Sequence, residues 1–140
     1  LTGCTAPEAS VPGESDVFVE SNPAVELKAG DILLVTVTME DSGPIKSMAL
    51  SFTFDENAFE IADGEWLNQH AIIADFNKEF KDAAIAFRDE INYSGEIFEL
   101  ELTAKNDISV NDGTIKVTPV LKNEQLSVEC EGINISYEKK

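Results

Sequence analysis

The chain has 140 residues, 43% of them hydrophobic and 26% charged, a composition that fits one globular domain with a real core rather than a disordered acidic tail. Its 10 Lys and Arg stand against 27 Asp and Glu, a formal net charge of −17, so phosphate backbones and anionic lipid surfaces are repelled and nucleic acid is excluded as a partner. No apolar run approaches the roughly 20 residues that cross a bilayer, and one His with two Cys leaves little for metal or nucleophilic chemistry.

The first residues read Leu1-Thr2-Gly3-Cys4, and a linker rich in Pro, Ser and Glu runs on to residue 16. This segment resembles the lipobox of bacterial lipoproteins, whose Cys becomes the lipidated first residue of the mature chain. The resemblance implies lipidation at Cys4, a linker over residues 1–16 and a domain over residues 17–140. It also implies an extracytoplasmic location, with the membrane reached only through the lipid anchor. A disulfide from Cys4 to Cys130 is the competing reading, and an incidental cysteine the third.

Beyond the linker the chain breaks into short alternating segments. Residues 16–20 predict a short strand, ended by Asn22-Pro23, and Lys28-Ala29-Gly30-Asp31 predicts a turn. Residues 32–40 alternate, with Leu33, Val35, Val37 and Met39 on one face. After the turn at Asp41-Ser42-Gly43-Pro44, residues 46–55 show the cleanest period of two: Met48, Leu50, Phe52 and Phe54 point one way, Ser47, Ala49, Ser51 and Thr53 the other. Residues 59–67 predict a strand interrupted at Asp63-Gly64, and residues 71–76 and 83–88 predict two more around a charged loop. Residues 68–82 are the one stretch where a helical turn is expected to fit, if anywhere. Residues 97–105 place Phe98, Leu100, Leu102 and Ala104 inward, with Glu99, Glu101 and Thr103 outward. Asn111-Asp112-Gly113 turns into a strand over 114–121, and residues 125–137 close the chain, with Cys130 inward beside Leu126 and Val128 as a buried thiol. About nine strands and no convincing helix predict an all-β, two-sheet sandwich of jelly-roll or Greek-key type.

Three of these segments, in order and spacing, resemble the cohesin and cohesin-like domains of bacterial surface proteins. They are Lys28-Ala29-Gly30-Asp31 leading into a Val/Thr strand, the run from Ile45 to Glu60 with Phe54-Asp55-Glu56 at its corner, and Gly95-Glu96-Ile97-Phe98-Glu99-Leu100-Glu101-Leu102-Thr103-Ala104-Lys105. The resemblance covers residues 17–139. Glu56 stands where the family's corner has Pro, and Gly64-Glu65-Trp66-Leu67 is more typical of the divergent members. The resemblance implies a dockerin, a small calcium-loaded helical domain, as partner, bound on the outer face of one sheet. The outward positions that fall there are Ser47, Ala49, Ser51 and Thr53; Ala84, Ala86 and Arg88; and Thr114, Lys116, Thr118 and Val120. Most are small and uncharged, and such a patch suits a helix face. A Thr/Ser-rich strand face chosen for β-propensity is the competing reading.

The same residues carry few signs of catalysis. His70 has no flanking Asp or Ser pattern and reads as an exposed loop residue, and no phosphate loop or His/Cys cluster is present. The chain is therefore expected to be no enzyme and to need no cofactor. Loop acids Asp89, Glu90, Asp107 and Asp112 are candidates for calcium, with solvated loop charge as the alternative. The rival functions are a carbohydrate-binding module and a structural subunit of a surface assembly. The first would use Tyr93, expected exposed in its turn, and Trp66, expected to be partly buried, for sugar stacking.

Overall fold

The computed structural model describes residues 24–67, 71–123, 126–128 and 132–140. The expected strand over 16–20, the lipidation site Cys4, His70 and the inward Cys130 lie outside these residues.

Among the described residues eleven strands form: β1 (Val25–Leu27), β2 (Ile32–Met39), β3 (Pro44–Thr53), β4 (Phe59–Trp66), β5 (Ile73–Asn77), β6 (Asp82–Asn92), β7 (Gly95–Ala104), β8 (Ile108–Val110), β9 (Lys116–Asn123), β10 (Leu126–Val128) and β11 (Ile133–Lys139). They make a two-sheet β-sandwich. One sheet has the order β10-β9-β3-β6-β5, the other β11-β2-β7-β4, and β1 pairs with β8 in a small ribbon. All ladders are antiparallel. The chain changes sheet between β2 and β3, β3 and β4, β4 and β5, β6 and β7, and β10 and β11, so sequence neighbours mostly face each other across the core.

The alternation of the sequence sets which side of each strand is buried. Leu33, Val35, Val37 and Met39 of β2 meet Met48, Leu50 and Phe52 of β3 and Phe98, Leu100 and Leu102 of β7 in one buried cluster. Phe98 sits at its centre, with ring centroids 5.1 Å from Trp66, 5.4 Å from Phe52 and 5.5 Å from Phe76. Fully burying a side chain of this size contributes about 1.5–3 kcal/mol.

The structure departs from the expectations in several places. Among the described residues eleven strands stand where eight of the nine expected ones fall, because β1 and β8 are three-residue strands too short to show a period and residues 126–139 form two strands in different sheets. Residues 71–82 form a strand and a turn rather than a helical turn. β4 is not interrupted at Asp63-Gly64: it continues to Trp66, with its irregularity between Ile61 and Asp63. Gly64 is required there because a Cβ would come within 2.7 Å of the Phe76 ring, which packs over that backbone. Ile97 and Phe98 are both buried although adjacent, since the register between β2 and β7 shifts and leaves Ile97 as the extra residue of a bulge.

Two turns are fixed by hydrogen bonds. At residues 28–31, Asp31 N donates to the Lys28 carbonyl at 2.9 Å, Lys28 N donates to Asp31 Oδ2 at 2.9 Å, and Gly30 takes φ 93°, a left-handed value suited to glycine. The Lys28 backbone donor and the nearby Lys139 ammonium hold the Asp31 carboxyl below its ordinary pKa. Ser42 is buried, and its N donates to the Tyr93 carbonyl at 3.0 Å while its Oγ accepts from Tyr93 N at 2.8 Å, which joins the start of β3 to the end of β6.

Candidate functional site

The outer face of the five-stranded sheet is assembled from side chains left over once the inward residues are buried. β3 runs down its middle. Ser47 pairs with Ala86 of β6 on one side and Lys122 of β9 on the other; Ala49 pairs with Ala84 and Val120; Ser51 pairs with Asp82 and Thr118; Thr53 pairs with Lys116. β5 adds a fourth column, with Ile73 beside Ala86, Asp75 beside Ala84 and Asn77 beside Asp82. Ser47, Ala49, Ser51, Thr53, Ala84, Ala86, Lys116 and Thr118 are thus brought onto one face. Thr114 lies before β9, where its Oγ accepts from Asn111 N at 3.0 Å and closes the turn.

Arg88 is exposed, but it stands at the margin of this face rather than within it. Between the pairs Ser47–Ala86 and Ile45–Ile91 the register shifts, so residues 87–90 of β6 stand against Lys46 alone. The Asn123 amide donates to Glu90 Oε2 at 2.7 Å and to the Pro44 carbonyl at 3.2 Å, tying this irregular stretch to β9 and β3.

The charges on the face are sorted. Lys116 and Lys122 lie along β9 with Val120, which is 47% exposed, between them. Asp75 and Asp82 lie across β3 on β5 and β6, and Ile73, 51% exposed, closes the corner. Arg88, Lys116 and Lys122 make no ion pair with another described residue. The opposite outer face is unlike it. There Glu99 pairs with Glu65 and Glu101 with Asp63, with Thr36 and Leu34 as the β2 neighbours. The Lys140 ammonium bonds to Glu101, and that bond, with Glu99 and Asp63 nearby, holds its pKa above the ordinary lysine value.

The fourth column was missed in the sequence. Residues 71–76 read as a strand, but four of the five residues of β5 are exposed, so no alternation marked which of them belonged to the face. Strand pairing, not periodicity, places Ile73 and Asp75 there.

Trp66 and Tyr93 are not a stacking platform. Tyr93 is 4% exposed and packs edge-to-face on Phe87 at 5.5 Å, because the Ser42 backbone pairing turns this residue into the core. Trp66 is 6% exposed against Phe98, and its indole N–H donates to the Asp75 carbonyl at 3.0 Å. The loop acids are not gathered into a centre. Asp107 accepts from Ala29 N at 3.0 Å and faces Lys28 at 4.0 Å, Glu90 is held by Asn123, and Asp112 lies in the turn before β9. Among the described residues no three His, Cys, Asp or Glu stand where they could hold a metal ion. No family model matches the chain, and no curated protein matches it.

Proposed function

We propose that the chain is a non-catalytic, cohesin-like binding module of a bacterial cell surface, attached by lipid at Cys4, that takes a protein partner on the outer face of the five-stranded sheet. The partner is a helical domain of the dockerin type. One observation carries the reading: in a chain with 27 acidic and 10 basic residues, this face combines small side chains at its centre with Lys116 and Lys122, which make no ion pair among the described residues. Small residues at Ala49 and Ala84 let a helix approach closely, and Lys116 and Lys122 supply orientation through charge. The reading of Trp66 and Tyr93 as a sugar platform has no support in this geometry, since both are buried.

Calorimetric titration with a panel of calcium-loaded dockerins tests it. Saturable submicromolar binding is expected with at least one member. Ala49→Asp sets a carboxylate in the centre of the patch and is expected to weaken that binding by at least about tenfold. Glu99→Gln, on the opposite face, is expected to leave it unchanged. Flat titrations across the panel would remove the dockerin as partner, and equal loss in both variants would remove the face.

A further inference from the structure

At one end of the sandwich, where β3 turns into β4 and β5 into β6, lies a cleft of about 390 Å³ that the sheet-face reading does not use. Phe59, buried, and Phe54 form its apolar part and meet edge-to-face at 6.1 Å. Around them stand Glu56, Lys78, Lys81 and Lys105. Lys81 shapes the site. Its φ of 59° is left-handed, rare for a residue with a side chain. Its carbonyl accepts from Phe52 N at 2.9 Å, and its ammonium bonds to Glu56 and lies 5.4 Å from the centroid of the Phe54 ring. Lys105 Nζ donates to the Glu56 carbonyl at 2.8 Å, and Lys105 N to the Ala58 carbonyl at 2.8 Å. A left-handed residue with a side chain persists where its surroundings over-determine it, a pattern concentrated at functional sites.

The turn that carries Lys81 also displays an aromatic ring. Phe80 is 68% exposed, more than Ile72, Ile73 or Val120, and lies between two cleft residues, Glu79 and Lys81. Its N donates to Asn77 Oδ1 at 3.0 Å, so the backbone presenting the ring is held on both sides. No packing requirement explains a phenylalanine at this position. The sequence predicts a charged loop here, and no pattern in it marks the ring among those charges.

We propose that this cleft, together with the exposed Phe80 of the turn that carries Glu79 and Lys81, is a second binding site, and that its ligand is a neutral β-1,4-linked oligosaccharide. The chemistry of the lining selects that class. Lys78, Lys81 and Lys105 are matched by Glu56, Glu60 and Glu79, so the lining carries donors and acceptors without an excess of either charge. Such a lining brackets vicinal hydroxyls, each of which donates and accepts, and gives an ion no advantage. The chain's net charge of −17 disfavours anionic ligands at longer range. A β-1,4-linked pyranose with equatorial substituents presents a flat C–H face that suits an exposed phenyl ring. The cleft falls within the range of about 300–1,000 Å³ typical of small-ligand sites. This site stands apart from the sheet face, and a module with both holds a protein partner and a glycan at once.

Two-dimensional amide NMR of the full chain, titrated with cellohexaose, xylohexaose and mannohexaose, tests the proposal, with tetragalacturonate as the charged comparator. The expected result is saturable shifts confined to residues 54–61, 78–82 and 105 with at least one neutral hexamer, and binding at least about tenfold weaker for tetragalacturonate. Phe80→Ala, at an exposed position, is expected to keep the melting temperature and to weaken hexamer binding by at least about tenfold. No shifts with any neutral hexamer, shifts outside the cleft, undiminished binding by Phe80→Ala, or a preference for the uronate would each overturn it.

Discussion

On the four-stranded sheet a carboxylate stands opposite a carboxylate in two successive outward rows, Glu101 with Asp63 and Glu99 with Glu65. On the five-stranded sheet the corresponding central rows set Ser47 opposite Ala86 and Ala49 opposite Ala84. Both faces rest on the same core, and both come from strands of the same alternation. Like charges directly across a ladder weaken it, so the acidic face is built at some cost to stability. It repels acidic partners and copies of the same chain, while the small-residue face is left as the surface open to contact. Under the proposed function, negative charge on one side gives specificity to the other.

Four substitutions test how far this contrast depends on the core, on the charge pairs and on pH. Phe98→Ala removes the ring on which β3, β4, β5 and β7 converge and is expected to destabilise both faces together by about 3–5 kcal/mol, read from urea denaturation with an unchanged slope. A loss under about 1 kcal/mol would mean that the two sheets do not share this core. Glu65→Lys converts the pair with Glu99 from repulsive to attractive and is expected to raise stability by about 0.2–1 kcal/mol, an effect that shrinks in 1 M salt. Placing a lysine at Asp82, opposite Ser51, is expected to give no comparable gain.

Acid separates the charge terms by sign. Asp31 is held below its ordinary pKa by the Lys28 backbone and by Lys139, and Glu56 by its bond to Lys81 and the charges of Lys81 and Lys105. A carboxyl depressed in the folded state stabilises above its unfolded pKa and loses that contribution as pH falls through the folded value, here on the acid side of the ordinary carboxylate range. Asp31→Asn is therefore expected to flatten the fall of melting temperature at acid pH and to leave the value at pH 7 little changed, because Asp31 is only partly buried and its ion pair with the exposed Lys139 is weak.

Much of the sandwich was legible because its long strands state their period. Residues 32–40, 46–55 and 97–105 each alternate over enough positions to fix which side is inward, and the structure buries those sides. The candidate face was legible for the same reason, as outward small residues share a parity in β3, β6 and β9. What stayed hidden is what periodicity does not encode. The bulge at Ile97 and the irregular stretch at 87–90 break the parity, so Ile97 was not assigned to the core and Arg88 was placed within the face. Tyr93 lies in a sequence that reads as an exposed turn, yet its backbone is paired to Ser42, a contact between residues 51 apart. Ile73 and Asp75 joined the face only through their pairing with β6.

The indole of Trp66, bonded to the Asp75 carbonyl, sits where β4 and β5, each the last strand of its sheet, come together. A bare last strand is a template on which another chain can grow, the first step toward fibrils. Here that carbonyl is already occupied, and Phe76 lies flush against the glycine of the facing strand. A second copy of the chain brought up to this seam thus meets an edge already partly closed by the protein's own side chains, which works against zipping along it.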